Sequence, residues 1–177
     1  MAVREVLRMG DPRLLEEAAP IADLDSEGLH GLVRDLWDTM AAYGGVGLAA
    51  TQIGVPRRVV VFAVADSPRY PDAEAVPATA LVNPALHPMP GDKEEAWEGC
   101  LSIPGMRGLV PRYAQLRYTG FTPEGDPVDR EVSGFHARVV QHECDHLDGI
   151  LYPRRIRDLR NFGFEAELVG HPSHVPE

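Results

Sequence analysis

The feature that most constrains the fold of this chain is the sequence His-Glu-Cys-Asp-His at 142–146, in which two histidines lie four residues apart. The apolar residues around it have helical spacing and predict a helix over 135–147. In a helix, His142 and His146 lie one turn apart on the same face, so both can reach one metal ion. The identity of a third ligand then decides which chemistry the site performs.

Glu143 lies between the two histidines in the sequence. A helix places it about 100° around the axis from His142, where its carboxylate can act as a general base on water at the metal. The alternative is a surface helix that carries this short pattern by chance. The rest of the chain has to decide between the two.

A catalytic site of the zinc type takes three protein ligands and leaves one position open. In the longer metalloprotease pattern the third histidine would fall at Tyr152, whose phenol is a poor substitute for an imidazole. A downstream glutamate would have to be Glu165 or Glu167, close to the end of the chain. The other candidate is Cys100, although a lone cysteine is equally well explained as a small buried hydrophobe.

The remaining segments predict a mixed fold. Ser26 is the predicted cap of a helix whose apolar stripe ends at the glycine pair 44–45. Short runs rich in β-branched or alternating apolar residues predict strands at 59–64 and 79–82 and a hairpin formed by 113–119 and 128–132. The segment 65–78 contains three prolines and is predicted to be an irregular loop.

Composition limits the function classes. The 177 residues are 44% apolar, which suits one domain over 1–169, and the proline-containing segment 170–177 is expected to be a flexible tail. The formal net charge of −10 argues against nucleic-acid binding, and no apolar run approaches the roughly 20 residues of a membrane span. The first ten residues have no signal-peptide pattern, so we expect a cytoplasmic protein with reduced cysteines.

Three segments together carry a family resemblance. The sequences Gly-Val-Gly-Leu-Ala-Ala-Thr-Gln at 45–52, Glu-Gly-Cys-Leu-Ser at 98–102 and Gln-His-Glu-Cys-Asp-His-Leu-Asp-Gly at 141–149 resemble the three motifs of peptide deformylases, in that family's order. The resemblance implies an enzyme that removes the formyl group from the N-terminal formyl-methionine of newly made polypeptides and releases formate. We expect an α+β fold with short, mostly antiparallel strands packed around a central helix carrying the His-Glu-x-x-His motif.

The resemblance also implies a ligand set. Cys100, His142 and His146 would hold one divalent metal ion, Fe²⁺ in the cell, with Zn²⁺, Ni²⁺ or Co²⁺ able to take the same ligands. One thiolate and two neutral imidazoles would leave the ion with a net charge of about +1. Composition does not choose among these metals.

Further roles are carried over from the family. Glu143 would take a proton and deliver it to the departing nitrogen, while the side-chain nitrogen of Gln52 and the backbone N–H of Leu101 would stabilise the oxyanion. An amide at 52 donates without bringing a negative charge against that oxyanion. Glu98 would pair with Arg112 and support the Cys100 loop.

Substrate contacts follow from the same resemblance. The backbone around Val46, Gly47 and Gly99 would bind the peptide as an added strand, which permits many different nascent chains as substrates. Phe135 and Val139, with Val46, would line an apolar slot for methionine. A narrow cavity at the metal would admit a formyl group and exclude an acetyl methyl.

Partners other than nascent peptides are not expected, apart from a transient ribosome contact. Some members of the family dock on the ribosome through a basic C-terminal helix, whereas residues 157–177 here are short and mixed in charge. Two other functions stay open: a small metallopeptidase that cuts internal peptide bonds, and a metal-binding scaffold that has lost catalysis. In a scaffold that had lost catalysis, we would expect another residue in place of Glu143 or Gln52, and both are present.

Overall fold

The structure is a computed structural model that describes residues 2–65 and 75–168. The helices are α1 (Glu27–Ala42), α2 (Gly134–Leu147) and the short α3 (Glu165–Leu168). The strands are β1 (Gly47–Ala49), β2 (Val59–Val64), β3 (Val76–Pro88), β4 (Lys93–Cys100), β5 (Ile103–Tyr113), β6 (Gln115–Phe121), β7 (Pro127–Ser133) and β8 (Phe162–Phe164). No helix within these two ranges has both the length and the apolar character to cross a bilayer.

The strands form two antiparallel sheets. One sheet has five strands in the order β1-β2-β3-β6-β7, and the other has three in the order β4-β5-β8. The fold is therefore mixed, with antiparallel sheets and few helices, as expected from the sequence.

Helices α1 and α2 cover opposite faces of the five-stranded sheet. The alternating residues of β2 separate the two cores: Val59 and Val61 pack in the cluster that contains the apolar stripe of α1, whereas Val60 and Phe62 pack with α2. All four side chains are completely buried. Burial on both faces explains why β2 reads as an uninterrupted apolar run rather than an alternating one.

The other side of α2 meets the β4–β5 hairpin through polar groups. The side chain of Gln141 accepts a hydrogen bond from the backbone N–H of Tyr113 at 3.0 Å and donates to its carbonyl at 2.9 Å. Arg112 on β5 also donates to the carboxylate of Asp145 on α2. Helix α2 therefore joins the two sheets, by apolar packing on one side and by hydrogen bonds on the other.

Four predicted elements are confirmed: helices α1 and α2, strand β2 and the β6–β7 hairpin. Helix α1 begins directly after Ser26, whose hydroxyl oxygen accepts from the backbone N–H of Leu29 at 3.3 Å. The hairpin of β6 and β7 pairs in register from Gln115 opposite Ser133 to Phe121 opposite Pro127. Tyr113, which the sequence pattern assigns to this hairpin, belongs instead to β5.

The sequence pattern missed β1, β4, β5 and β8 and shortened β3. Residues 76–78, predicted as loop, belong to β3, while residues 66–74 of that predicted loop lie outside the described residues. The predicted tail at 170–177 also lies outside them. β5 was missed because it contains two prolines and two glycines, residues that normally argue against a strand.

A glycine is required where α2 ends. Gly149 has φ +66°, and the N–H groups of Gly149 and Ile150 donate to the carbonyls of His146 and Asp145, the pattern of a Schellman cap. A Cβ at this position would collide with the carbonyl oxygen of Leu15.

We predict that Gly149→Ala lowers the free energy of unfolding by more than Gly44→Ala does. Gly44 ends α1 in the same type of cap with φ +63°, but a Cβ there would meet nothing within 4 Å. The left-handed conformation alone costs roughly 1–2 kcal/mol, and overpacking against Leu15 adds about 1–3 kcal/mol. Urea unfolding of both variants measures the difference, and equal losses would contradict the proposed collision.

Candidate metal centre

One thiol and two imidazoles meet at the end of β4. The ligand atoms of Cys100, His142 and His146 all lie within 4.8 Å of one another, and this is the one such group found in residues 2–65 and 75–168. The Cys100 Sγ and His146 Nε2 atoms are 3.3 Å apart. The rings of His142 and His146 have their centroids 5.1 Å apart at an interplanar angle of 75°.

This donor set fits a single tetrahedral metal ion. Zn–S and Zn–N bonds of about 2.3 and 2.05 Å imply a sulfur–nitrogen separation of about 3.6 Å, close to the separation of Cys100 and His146. The described residues contain two buried side-chain polar atoms without a hydrogen-bond partner, Glu143 Oε2 and His146 Nδ1. Both belong to this site, so its polar groups are not satisfied by the protein alone.

The electrostatics also favour the ligand form of the cysteine. Burial raises the pKa of the Cys100 thiol, but the neighbouring imidazoles of His146 and His142 outweigh burial and hold this pKa well below its ordinary value. Burial in turn lowers the pKa of His142, whereas its hydrogen bonds to Cys100 and Glu98 raise it well above the usual range. The thiolate is the form that binds metals.

Local structure brings Cys100 to the helix. The β4–β5 register shifts between Glu98 and Cys100, and Cys100 pairs with Ile103 where the hairpin turns. His142 and His146 face this turn from α2, one helical turn apart as the sequence spacing predicts.

Glu98 fixes the orientation of His142. Its carboxylate accepts from His142 Nδ1 at 2.9 Å, from Arg112 in a bidentate pair with both distances 2.9 Å, and from Arg138 Nη1 at 2.8 Å. Burial raises the pKa of Glu98, but Arg112 and His142 outweigh it, so this pKa lies well below the usual range. The carboxylate can only accept, so His142 Nδ1 carries the proton and Nε2 is left for a ligand.

A second buried carboxylate extends this network. Asp145 accepts from Arg112 and from Arg155, with Arg155 Nη2 lying 2.6 Å from Asp145 Oδ1. Asp145 and Gln141, which the helical pattern alone would place among ordinary polar helix residues, are both buried and both bind the β4–β5 side of the fold.

Glu143 faces the same site from α2. Its side chain is buried, and this burial raises its pKa to about 7. It packs against Gly47 on β1 so closely that a Cβ at position 47 would overlap its carboxylate. The close approach of Glu143 therefore requires a glycine at position 47.

Gln52 approaches from the 3₁₀ helix Ala50–Ile53. Its Oε1 accepts from the backbone N–H of Ala49 at 2.9 Å, which turns its amide nitrogen toward Ser102 Oγ at 3.1 Å and Cys100 Sγ at 3.5 Å. Leu101 follows Cys100 at the turn, and its side chain packs on the α1 core. Both residues implied as oxyanion donors therefore border the thiol.

A partly open cavity lies beside these groups. It brings together the remaining residues expected at the substrate site, which are Val46, Gly47, Gly99, Phe135 and Val139. Trp97 and Arg138 also line it and were missed by the sequence reading. Arg138 lies one helical turn before His142, and this spacing is the signal that could have identified it.

None of the other candidate ligands joins this group of ligand atoms. The Tyr152 ring stacks on His142, and its hydroxyl donates to the Met106 carbonyl at 3.1 Å. Glu165 is half-exposed and pairs with Arg107, and Glu167 is exposed. Neither metallopeptidase-type ligand set is present in the described residues.

Comparisons with known proteins identify a family for this chain. A family model described as polypeptide deformylase matches residues 3–162. Peptide deformylase 1 of Nitrosomonas europaea and peptide deformylase 2 of Bordetella bronchiseptica are 61% and 57% identical over 166 residues, covering 94% of this chain and 94% of each relative.

Two solved structures are similar in fold. The class I type b peptide deformylase of Acinetobacter baumannii, bound to Met-Ala-Ser, matches with a TM-score of 0.84 and 39% identity over 88% of this chain and 99% of that chain. Peptide deformylase of Thermotoga maritima matches with a TM-score of 0.80 and 32% identity over 89% of this chain and 100% of that chain.

We predict that Cys100→Ser binds metal weakly while Cys144→Ser retains it. Cys144 is also buried, but it packs in the apolar core of α2 and the five-stranded sheet, and burial raises its pKa. Loss of the thiolate at 100 should reduce the affinity for the metal by at least about 10- to 100-fold, the loss typical when a residue that only supports a metal ligand is replaced. Elemental analysis of anaerobically purified proteins measures this, and equal metal content in both variants would contradict the ligand assignment.

Proposed function

This chain belongs to the peptide deformylase family, and we propose that its reaction takes place at the site formed by Cys100, His142 and His146. Members of this family are enzymes that remove the formyl group from the N-terminal methionine of nascent polypeptides, and this chain has that activity. The convergence of one buried thiol and two imidazoles next to an unpaired buried carboxylate is the observation that carries the assignment.

The three ligands would hold one divalent ion, Fe²⁺ in the cell, and Zn²⁺, Ni²⁺ or Co²⁺ suit the same donors. When bound, such an ion supplies a Lewis acid that lowers the pKa of water toward neutrality and polarises a carbonyl oxygen. Glu98 keeps His142 in the tautomer that leaves Nε2 available, and Arg112 holds Glu98 in place.

Glu143 moves the proton. Its Oε2 has no donor within the described protein and lies in the same cavity as Cys100 and Gln52, so it can accept a proton from the attacking water. As the C–N bond of the formamide breaks, the same carboxylic acid gives that proton to the departing nitrogen, which leaves a free amine and formate.

Gln52 and Leu101 stabilise the developing negative charge. Ala49 orients the Gln52 amide, and its nitrogen, which donates to Ser102 Oγ and Cys100 Sγ, would redirect one of these donors to the oxyanion. The backbone N–H of Leu101, next to Cys100, is the second proposed donor. Removal of one such donor typically lowers kcat by about 10²- to 10³-fold.

The peptide would bind in extended form between the two sheets. β1 is an edge strand of the five-stranded sheet, and β4 ends at Gly99 and Cys100 across the cavity. An added strand is held by backbone hydrogen bonds, with little demand on its side chains. The methionine side chain would enter beside Val46, Phe135 and Val139, which line the cavity.

The wider setting follows from this function. We propose one catalytic domain over 1–169, in which α2 is the central element around which the strands pack. The enzyme would act in the cytoplasm on emerging chains, with no more than a transient ribosome contact and no direct nucleic-acid binding, since its net charge is −10. Glu143 and Gln52 are both in place, which argues against a scaffold that has lost catalysis.

We predict that formyl-Met-Ala-Ser releases formate at least about a hundredfold faster than acetyl-Met-Ala-Ser releases acetate, because the proposed site would admit the hydrogen of a formyl group and exclude the larger methyl of an acetyl group. Measurement of formate, acetate and free amine with the metal-loaded enzyme tests this, with unblocked Met-Ala-Ser as the control. Internal cleavage of the tripeptides without formate release would contradict the assignment and favour a metallopeptidase.

We predict that Glu143→Ala retains its metal and loses turnover by at least about 10²- to 10⁴-fold, the range of general acid–base catalysis. Ala removes the carboxylate and leaves the three ligands unchanged. Metal content and formate release are measured on the same sample, and full activity in this variant would contradict the proton-transfer role.

A further inference from the structure

We infer that Arg138 is a positioning residue that locks the hairpin carrying Cys100 onto the helix carrying His142 and His146. This role rests on the proposed function of the same site. Arg138 lies on α2, one turn before His142, and it is 9% exposed. A buried arginine needs partners for its charge and its donors, and the partners of Arg138 lie on β4 and β5.

The guanidinium of Arg138 makes three hydrogen bonds across this junction. Nη1 donates to Glu98 Oε1 at 2.8 Å and to the carbonyl of Val110 on β5 at 2.9 Å. Nη2 donates to the carbonyl of Glu94 on β4 at 2.8 Å. One side chain therefore contacts both strands of the hairpin at the level of the metal centre.

The contact with Glu98 connects Arg138 to a ligand. Glu98 Oε1 is shared by Arg112 and Arg138, while Oε2 accepts from His142 Nδ1. The two guanidiniums approach Glu98 from different elements, Arg112 from β5 and Arg138 from α2. Arg112 belongs to the same hairpin as Glu98 and reaches α2 through Asp145, whereas Arg138, like His142, binds Glu98 from the helix itself.

The apolar packing cannot replace this link. The apolar face of α2 packs on the five-stranded sheet, while Cys100 belongs to a separate apolar cluster with Ile103 and Val110. The separation of Cys100 from the two histidines is consequently set by polar contacts between α2 and the hairpin. Such contacts have directional geometry and fix ligand positions more tightly than apolar packing does.

Arg138 also lines the cavity that would take the methionine side chain. A residue that only contacted substrate would change KM and leave metal affinity unchanged. Substitution of a positioning residue has the opposite effect: metal binding weakens and kcat falls, while KM stays nearly constant.

The test compares Arg138→Met with Arg58→Met. Methionine keeps the length of the stem and removes the guanidinium. Arg58 also binds the same helix, with Nη1 2.8 Å from Asp148 and 3.5 Å from the Leu147 carbonyl, but it does not contact Glu98. Co²⁺ affinity is measured by competition with a chelator, the thiolate-to-cobalt absorption band is recorded, and kcat and KM are determined with formyl-Met-Ala-Ser.

We expect Arg138→Met to bind Co²⁺ about 10- to 100-fold more weakly than the wild type, with an altered thiolate band and a lower kcat. Arg138→Lys, which retains the charge on a single donor nitrogen, should recover part of the affinity. Arg58→Met should keep wild-type affinity. If Arg138→Met does not fold, Arg138→Gln is judged by the same criterion.

A double-mutant cycle with Glu98→Gln tests whether Arg138 acts on metal binding through Glu98. If Arg138 acts through Glu98, Arg138→Met weakens Co²⁺ binding less in the Glu98→Gln background than in the wild type. Equal losses in both backgrounds, or a Co²⁺ affinity of Arg138→Met within about twofold of Arg58→Met, would overturn the inference. Failure of the wild type to release formate would overturn the proposed function, and Co²⁺ affinity would still decide the role of Arg138.

Discussion

The carboxylate of Glu98 is the interaction on which the arrangement of this molecule depends. It is buried between a helix and a hairpin whose apolar residues belong to separate clusters, and a buried charge is tolerated only when its hydrogen-bonding capacity is satisfied. Arg112, Arg138 and His142 satisfy it from β5 and α2. The pairing that makes burial of Glu98 tolerable also sets where the Cys100 turn lies relative to the two histidines.

This constraint explains why the site sits between the two sheets. The apolar side of α2 is covered by the five-stranded sheet, so its histidines must face the hairpin. β1 and the turn after β4 then leave the cavity between them, with Glu143 against Gly47 on one wall. In the proposed function, an extended peptide would reach the thiol and the carboxylate through this cavity.

Local signals predicted helices α1 and α2 and the β6–β7 hairpin well. The Ser26 cap with its apolar stripe identified α1, and the spacing of His142 and His146 placed both on one face of α2. The β4–β5 hairpin could not be predicted, because β4 begins with three charged residues and β5 contains Pro104 and Pro111. Its stability comes from pairing and from contacts with α2, which no local pattern records.

In the candidate site, too, some residues could be predicted from local patterns and others could not. The three ligand residues belong to recognisable motifs, and the structure brings them together, whereas Arg138 resembles any solvated arginine on a helix until its partners on β4 and β5 are known. Gln141 and Asp145 are similar cases, since tertiary contacts alone distinguish a buried connector from a surface residue.

The most direct test of the central claim, that Cys100 and the two histidines bind one shared cation, is X-ray absorption at the zinc edge of the zinc-loaded protein. The account predicts one sulfur at about 2.3 Å and nitrogen donors at about 2.0–2.1 Å around each ion. A coordination shell of nitrogen and oxygen without sulfur would contradict it.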